Sequence, residues 1–527
     1  MKTTIILFIL CFGSQLLAQD PAIEWQNTVG GADMDMSLAV DITTDGGSII
    51  AGTSQSNISG DKTENSNGAL DLWIVKLDDA GSLEWQNTIG GSGDDYATSI
   101  KQTSDGGYIV GAGSDSNISG DKTENSRGGL DYWILKLDAA GTIVWQRTYG
   151  GAQPDFEVRI IESSDGGYFV SGYSDSDISG DKTDPGNGQR DFWALKLDSN
   201  GNLQWQNSIG GNLIDRPLAT FQTADNGYIM AGGSTSDASG DKTENSQGSS
   251  DYWVVKLDSS GSVVWDNTIG GSGGELIRDA IETADGNLLI GGYSTSNISG
   301  DKTENSLGSE DYWVLKLDPS GSIIWQNTIG GNAIDYLTNL EQLPTGEYLV
   351  SGYSQSNISG DKTDDSNGGY DVWVLKLDSN GALLSQNTLG GAGDESRAFM
   401  RQIGNGDYII ACTSDSNISG DKTENSEGAE DYWIFRSTSL LLDVAENIDL
   451  SSITAYPNPT TGTLQLLLPK LSNSATVSVF DSRGVKIASE EYFDLKQIPL
   501  SITGAAGLYY LEITSGNLSE TIKIIKQ

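Results

Sequence analysis

Trp73 has six copies at intervals of sixty residues: Trp133, Trp193, Trp253, Trp313, Trp373 and Trp433. A second column runs Trp25, Trp85, Trp145, Trp205, Trp265 and Trp325, with Ser385 in the seventh place. Together the two columns account for all 13 tryptophans. The tetrapeptide Gly-Asp-Lys-Thr keeps step at 60–63, 120–123, 180–183, 240–243, 300–303, 360–363 and 420–423, with no insertion or deletion. So strict a period makes the chain an array of one supersecondary unit, each copy burying its apolar face against its neighbours.

One unit shows what is repeated. Trp85 to Ile89 and Ala97 to Thr103 are β-prone, and a Gly-Gly and an acidic loop separate them. Ser104-Asp105-Gly106-Gly107 is hairpin chemistry, because Asp-Gly suits positive φ. Tyr108 to Gly113 follows, then a long polar loop over 114–130, then Asp131 to Leu137. Asp138-Ala-Ala-Gly141 turns the chain back into Ile143-Val144-Trp145. No segment has helical periodicity. Runs such as YIV and YWIL are apolar on both faces, as in a sheet covered on both sides. Four short antiparallel strands per repeat predict a β-propeller blade.

The phase of the repeats predicts a closed ring. The array opens on a Trp25 strand without its partner and ends on Asp431 to Arg436 without its own. The Leu-Asp-x-x-Gly turn that joins these two strands elsewhere is replaced by Ser-Thr-Ser-Leu at 437–440. The expected fold is all-β, a seven-bladed propeller over 19–437 whose N-terminal strand closes the last blade. An open solenoid would need capping units and would leave the split hairpin unexplained.

Composition removes several chemistries. The chain has no His, and its two Cys are Cys11 and Cys412. Histidine-based nucleophile systems, HExxH zinc sites and Cys clusters are therefore excluded. An enzyme on this chain would have to work with carboxylates, Tyr, Ser, Lys or Arg. A net charge of −43 works against nucleic-acid or anionic-membrane partners, since phosphate binding needs clustered cations. No cofactor is demanded.

Three acidic columns compete for meaning. Asp61 and Asp71 recur in all seven copies. Sevenfold identity suits a structural role, in which Asp accepts backbone N–H bonds in tight loops and Lys62 or Lys76 neutralises it. The other reading is calcium. Asp115, Asn117, Ser119 and Asp121 place oxygen side chains at alternate positions around Gly120, the order that calcium loops ask for. Asp415, Asn417 and Asp421 repeat it, as do Asp175, Asp177 and Asp181. No copy supplies the bidentate Glu twelve positions on.

The third column is Asp35, Asp95, Asp155, Asp215, Glu275, Asp335 and Glu395. Around it the copies diverge, at 32–34 and their equivalents and at Asp41, Lys101, Ile161, Phe221, Ile281, Glu341 and Arg401. The expectation is that this column marks the mouth of the central channel on the face carrying the long loops. Arg159, Arg216, Arg278, Arg397 and Arg401 would be its rare cations, and Tyr96, Phe156 and Tyr336 its aromatics. Divergence without a ligand is the competing explanation. No blade carries an inserted loop and no carboxylate pair stands out. The expected role is accordingly non-catalytic binding of glycans or other surface ligands, or adhesion, by a monomer. The alternative is a carboxylate-dependent glycan-active enzyme.

The two ends concern export. Residues 1–18 read as a secretory signal, with Lys2 before the short apolar run Ile5 to Phe12 and Ala18 at the cleavage position. No later segment is apolar enough for a membrane helix. After a linker at 438–452 the composition changes, and strand alternation with Pro/Gly turns over 453–527 predicts about seven short strands in an immunoglobulin-like sandwich.

Motifs then point to known families. The strand–turn–strand around Leu77, Asp78, Gly81 and Trp85 resembles quinoprotein-type propeller repeats and, loosely, the Asp-box turn of sialidases. The whole unit looks like uncharacterised sixty-residue bacterial propeller repeats, which implies fold and not activity. Tyr456-Pro457-Asn458-Pro459, the Asp-Ser-Arg-Gly484 turn, Gly507-Leu-Tyr509 and the basic Lys-Ile-Ile-Lys end fall in order. Residues 453–527 thereby resemble the type A C-terminal sorting domain of type IX secretion substrates of Bacteroidetes. That resemblance implies recognition by the type IX machinery and release or attachment at the cell surface.

Overall fold

The structure is a computed structural model that describes residues 23–404, 406–437, 454–472, 475–492, 495–515 and 518–527. The expected signal at 1–18 and linker at 438–452 lie outside these residues. The chain divides into two compact units between residues 441 and 442.

The first unit holds strands β1 to β28 in seven four-stranded antiparallel sheets. The first complete sheet is β2 (Asp35–Ile42), β3 (Ser48–Ser54), β4 (Asp71–Leu77) and β5 (Leu83–Ile89), in that order. Every position of β3 and β4 is buried, as strands apolar on both faces require. The last sheet runs β1 (Ile23–Val29), β28 (Asp431–Ser437), β27 (Tyr408–Ser414), β26 (Glu395–Gln402). The first strand of the chain therefore completes the seventh blade, with Trp25 opposite Arg436 and Asn27 opposite Ile434.

The inner strands are β2, β6 (Asp95–Gln102), β10 (Asp155–Glu162), β14 (Asp215–Gln222), β18 (Glu275–Glu282), β22 (Asp335–Gln342) and β26. Each packs against the next, and β26 packs against β2, which closes a ring around a central channel. The Gly-Gly loop before each inner strand and the Gly-Asp-Lys-Thr loop both lie at the channel end where the inner strands begin. The short Asp-Gly turns lie at the other end.

The tryptophan columns bind blade to blade. All seven members of the Trp73 column are fully buried. The Tyr432 ring centroid lies 5.0 Å from that of Trp73 in the next blade, and its hydroxyl donates to the Trp73 carbonyl at 3.2 Å. Tyr252 and Trp313 repeat the arrangement at 4.9 Å and 2.9 Å. The indole N–H of Trp73 donates to Gln86 Oε1 at 3.0 Å, so the one polar atom of the buried ring is satisfied.

Among the described residues the second unit has seven strands in two sheets. One has the order β29 (Thr454–Tyr456), β30 (Thr463–Ser472), β33 (Leu495–Ser501). The other has β32 (Lys486–Tyr492), β31 (Ala475–Asp481), β34 (Gly507–Ser515), β35 (Leu518–Lys526). Leu464, Leu466 and Ile498 from the first sheet pack with Val477, Leu511, Ile513 and Ile524 from the second, which makes the predicted sandwich.

Candidate functional site

The third acidic column is not at the channel surface, contrary to expectation. Asp35, Asp95, Asp155, Asp215, Glu275, Asp335 and Glu395 are all fully buried. Asp35 Oδ2 accepts from Gly31 N at 2.7 Å and Ser56 Oγ at 3.0 Å. The same Gly N–H bond recurs in the other six copies. A strand alternates its faces, and this first residue of each inner strand turns back into its own Gly-Gly loop. The column shapes the loop.

The calcium pattern also resolves into turn chemistry. Asp121 Oδ2 accepts from Gly90 N at 3.2 Å and from Asn67 Nδ2 at 3.1 Å, both in the preceding blade. Asp181 and Asp421 accept in the same way from Gly150 and Gly390. Ser119 Oγ donates to the Asn117 carbonyl at 2.8 Å, and Ser179 and Ser419 do so to Asp177 and Asn417. Asp115 and Asp415 accept from the Asp94 and Asp394 amides. Asp175 forms a two-point ion pair with Arg190, at 2.7 and 2.9 Å. The alternating oxygens thus turn to separate partners and not to a common centre. Among the described residues no group of three or more His, Cys, Asp or Glu side chains is placed to hold a metal ion.

The long-loop mouth is instead built from aromatics and arginines. Tyr293, Tyr336, Tyr353 and Tyr370 form a continuous run, with successive ring centroids 4.9, 5.4 and 5.1 Å apart. All four are half-buried. The run ends at a cavity of about 290 Å³ lined by Tyr353, Tyr370, Met36, Asp394, Arg397 and Glu430, among others. A second cluster lies on the second and third blades, away from the first, which is on the fifth and sixth. Tyr96 meets Phe156 at 5.6 Å, Phe156 meets Tyr173 at 6.3 Å, and the Arg190 guanidinium lies 3.7 Å from the Tyr173 ring centroid. Arg216 pairs with Glu157 through two nitrogens.

Deeper in the ring the inner-strand carboxylates join blade to blade. Asp41 Oδ2 accepts from Gln102 N at 2.9 Å, and its other oxygen pairs with Lys101 at 3.0 Å. Asp279 Oδ2 accepts from Leu340 N at 2.8 Å and Asn339 Nδ2 at 2.7 Å. Glu341 Oε2 accepts from Gln402 N at 3.0 Å, and burial raises its carboxyl above the ordinary range. Arg401 donates to Asn339 Oδ1 and to the Met400 carbonyl. Arg159 donates to the carbonyls of Leu218 and Thr98, at 2.9 and 2.7 Å, and burial lowers it to about 10.

Of the expected mouth residues, the structure brings Tyr336, Tyr96, Phe156, Arg216 and Arg397 to the long-loop end. Arg278 lies one position farther along its inner strand than Arg397, Arg159 one farther again, and Arg401 nearer the short turns. The sequence reading missed Tyr173, Tyr293, Tyr353, Tyr370 and Arg190. Their signal was present. The column of Thr53, Gly113, Tyr173, Gly233, Tyr293, Tyr353 and Thr413 varies as widely as the inner-strand columns, as does that of Leu70, Leu130, Arg190, Ser250, Glu310, Tyr370 and Glu430.

The second unit carries the export signal. Asn458 Nδ2 donates to the Lys523 carbonyl at 2.7 Å, and its Oδ1 accepts from Ile525 N at 2.9 Å. The motif around Tyr456, Pro457 and Pro459 is so tied to the terminal strand. Lys526 Nζ donates to the carbonyls of Ile502 and Gly504, Tyr509 Oη donates to Ala505 O, Gly507 opens β34, and Gly484 takes a φ of 78° in the Asp481 turn. Residues 454–527 match the secretion system C-terminal sorting domain. This unit is a type IX sorting domain. The propeller ahead of it is the cargo, marked for export through type IX secretion to the cell surface or beyond.

The chain is also similar to the regulatory protein FlaEY of Caulobacter vibrioides, at 24% identity over 384 residues. The match covers 66% of this chain and 38% of that one, so the chain spans well under half of that relative. Among solved structures it is similar to YCF48 bound to D1 peptide, at 9% identity and a TM-score of 0.36, over 79% of this chain and 97% of that one. It is similar to the Neurospora crassa Pan2 WD40 domain at 10% identity and a TM-score of 0.31, over 61% and 86%. It is likewise similar to a thermostable family-43 glycoside hydrolase at 10% identity and 0.30, over 64% and 100%.

Proposed function

We propose that this exported propeller is a non-catalytic binding protein that takes a glycan at the long-loop mouth of its channel. The observation that carries the reading is the half-buried run of Tyr293, Tyr336, Tyr353 and Tyr370 leading into the cavity beside Arg397. Half-buried aromatic rings offer apolar faces on which the C–H faces of a sugar can stack, and their hydroxyls supply polar contacts. Binding is favoured over hydrolysis because Asp41, Asp279 and Glu341 accept backbone N–H groups of the following blade. Carboxylates so occupied are poor candidates for a general acid and its nucleophile.

The test is a glycan array probed with the full chain, followed by incubation of each bound glycan with the protein. Expected are retention of specific glycans without cleavage and loss of binding in Tyr353→Ala and Tyr370→Ala. Cleavage of a bound glycan, or binding unchanged in both variants, would overturn the reading.

A further inference from the structure

We infer that the glycan is acidic, and that its carboxylate or sulfate group is received by Arg278 and Arg397 on either side of Tyr353. This inference rests on the mouth being the binding site.

The distribution of arginine is its first support. The chain has 73 Asp and Glu against 30 Lys and Arg, and ten of the latter are Arg. Six of those ten, Arg159, Arg190, Arg216, Arg278, Arg397 and Arg401, belong to the inner strands or the mouth. The lysines of the repeat serve elsewhere. Lys62 is buried under its own loop, donating to Ser54 Oγ and the Ser56 carbonyl, and Lys76 pairs with Asp45 and Glu84.

The second support is pairing. Arg190 and Arg216 are matched by Asp175 and Glu157. Arg278 makes no hydrogen bond or ion pair with any described residue. Arg397 has the Met36 sulfur, at 2.7 Å, as its hydrogen-bond partner. In a chain where acids outnumber bases more than twofold, two half-buried guanidinium groups pair with no carboxylate among the described residues, although Asp394 and Glu430 line the same cavity as Arg397. Part-burial of an unmatched charge is costly, and an arriving oxyanion would relieve that cost.

The third support is placement. Arg278 sits at the register shift of β18, between Ile277 and Asp279. Arg397 sits at the matching shift of β26 and holds a φ of 55°, a left-handed conformation that a residue with a Cβ adopts at a cost. Such bulges re-aim a side chain out of the strand pattern. Tyr353 and Arg397 line one cavity, and the charges of Arg278 and Arg397 both offset the burial that raises the Tyr353 hydroxyl. Arg278 belongs to the blade before that of Tyr353 and Arg397 to the blade after it, and two planar forks suit a carboxylate or sulfate, which accept several hydrogen bonds in one plane or cone.

The overall charge sets the limit on the ligand. A net charge of −43 repels an extended polyanion such as a nucleic acid at long range. A single acid group on a sugar held by stacked tyrosines meets the local cations without that penalty. An acidic saccharide therefore fits better than a polyphosphate.

The experiment titrates the full chain with three galactose oligosaccharides of equal length: one carrying a single galacturonate, one carrying a single sulfate and one neutral. Expected is binding of at least one acidic probe, with the neutral one about tenfold weaker or worse, and affinity falling as salt rises. Arg278→Gln and Arg397→Gln, checked for unchanged melting, should each weaken the acidic probe by about tenfold to a hundredfold and weaken the neutral one far less. The uronate and sulfate arms tell which oxyanion is preferred.

If the neutral probe binds as tightly, or the Arg variants bind the acidic probes normally, the inference is wrong. Loss of that binding in Tyr353→Ala would show that the mouth reading survives. Binding of an acidic peptide such as poly-glutamate with neither acidic saccharide bound would overturn the saccharide assignment. Failure of all probes would overturn it as well.

Discussion

The indole N–H of Trp433 donates to Gln26 Oε1 at 3.0 Å, joining residues 407 positions apart. Gln26 also accepts from Thr423 N and donates to the Asp421 carbonyl. The same side chain in the first complete blade, Gln86, receives Trp73 from thirteen positions away. Gln26→Ala and Gln86→Ala should therefore cost alike, about 1–3 kcal/mol, since each leaves a buried indole N–H without its acceptor. Urea unfolding of the two variants checks this. A Gln26→Ala variant as stable as wild type would mean that β1 contributes nothing to closure.

That closure was legible because it is a matter of phase. An unpaired Trp25 strand at one end and an unpaired Asp431 strand at the other need only counting to be matched. Side-chain direction was not legible in the same way. The Asp35 column was placed at the mouth because the residues around it vary, yet the column is invariant in charge because it caps its own loop. Tyr353 and Tyr370 lie at the end of β3-type strands and the start of β4-type strands, far along the chain from the inner strand. Only the blade's fold brings those columns beside the inner strand. Arg278 stood out by type, but its lack of a partner is a fact of packing that spacing cannot supply.

The Gly-Gly pair before each inner strand makes a steric prediction. A Cβ on Gly90 would lie 1.7 Å from Asp71 Oδ1, a buried side chain that holds the Asn67 and Gly68 amides. A Cβ on Gly106, in the Asp-Gly turn, would meet nothing within 4 Å, though the φ there is 83°. Gly90→Ala should cost about 3 kcal/mol through overpacking, against about 1 kcal/mol for Gly106→Ala through backbone strain alone. Equal losses in chemical denaturation would contradict this.

Buried acids set the pH dependence. Burial pushes Asp131 up to about 7, with Asp155 nearby adding to the effect, and Asp191, Asp251 and Asp431 to about 6. Burial and the facing Glu395 raise Asp371 in the same direction. These groups keep protons in the folded state that the unfolded chain releases, so stability falls as pH rises from about 4 through 7. Groups of the opposite kind, such as Asp225, held at about 2 by Lys256 and Thr223, lose their contribution only as pH drops below about 4. The melting temperature should be higher at about pH 5 than at about pH 8. A higher value at pH 8 would show that these carboxyls are ionised in the fold.

The Asp61 column makes a prediction about calcium. Asp121 staples one blade to the preceding one through the Gly90 amide, and Asp61 does the same through Gly30 N at 3.3 Å. Asp121→Ala should cost about 1–2 kcal/mol with or without the ion, because the bond lost is to a backbone N–H. Millimolar calcium should leave the melting temperature of the wild-type protein unchanged. A clear rise that disappears in Asp121→Ala would restore the loop as a calcium site.

The sorting domain can be tested at a single side chain. Asn458 spans the terminal strand with a donor on Lys523 O and an acceptor for Ile525 N, while Lys526 closes the same end against Ile502 and Gly504. Asn458→Ala removes both Asn458 bonds at once and should cost the domain about 1–3 kcal/mol. If the machinery reads the folded sandwich with its last strand in place, the variant should accumulate inside the outer membrane, as should a chain lacking residues 454–527. The readout is the fraction of propeller in medium and on the cell surface, measured beside the melting of the propeller itself. A variant exported normally would show that the Asn458 clasp serves stability alone. Normal export of the truncated chain would remove the domain's role in sorting altogether.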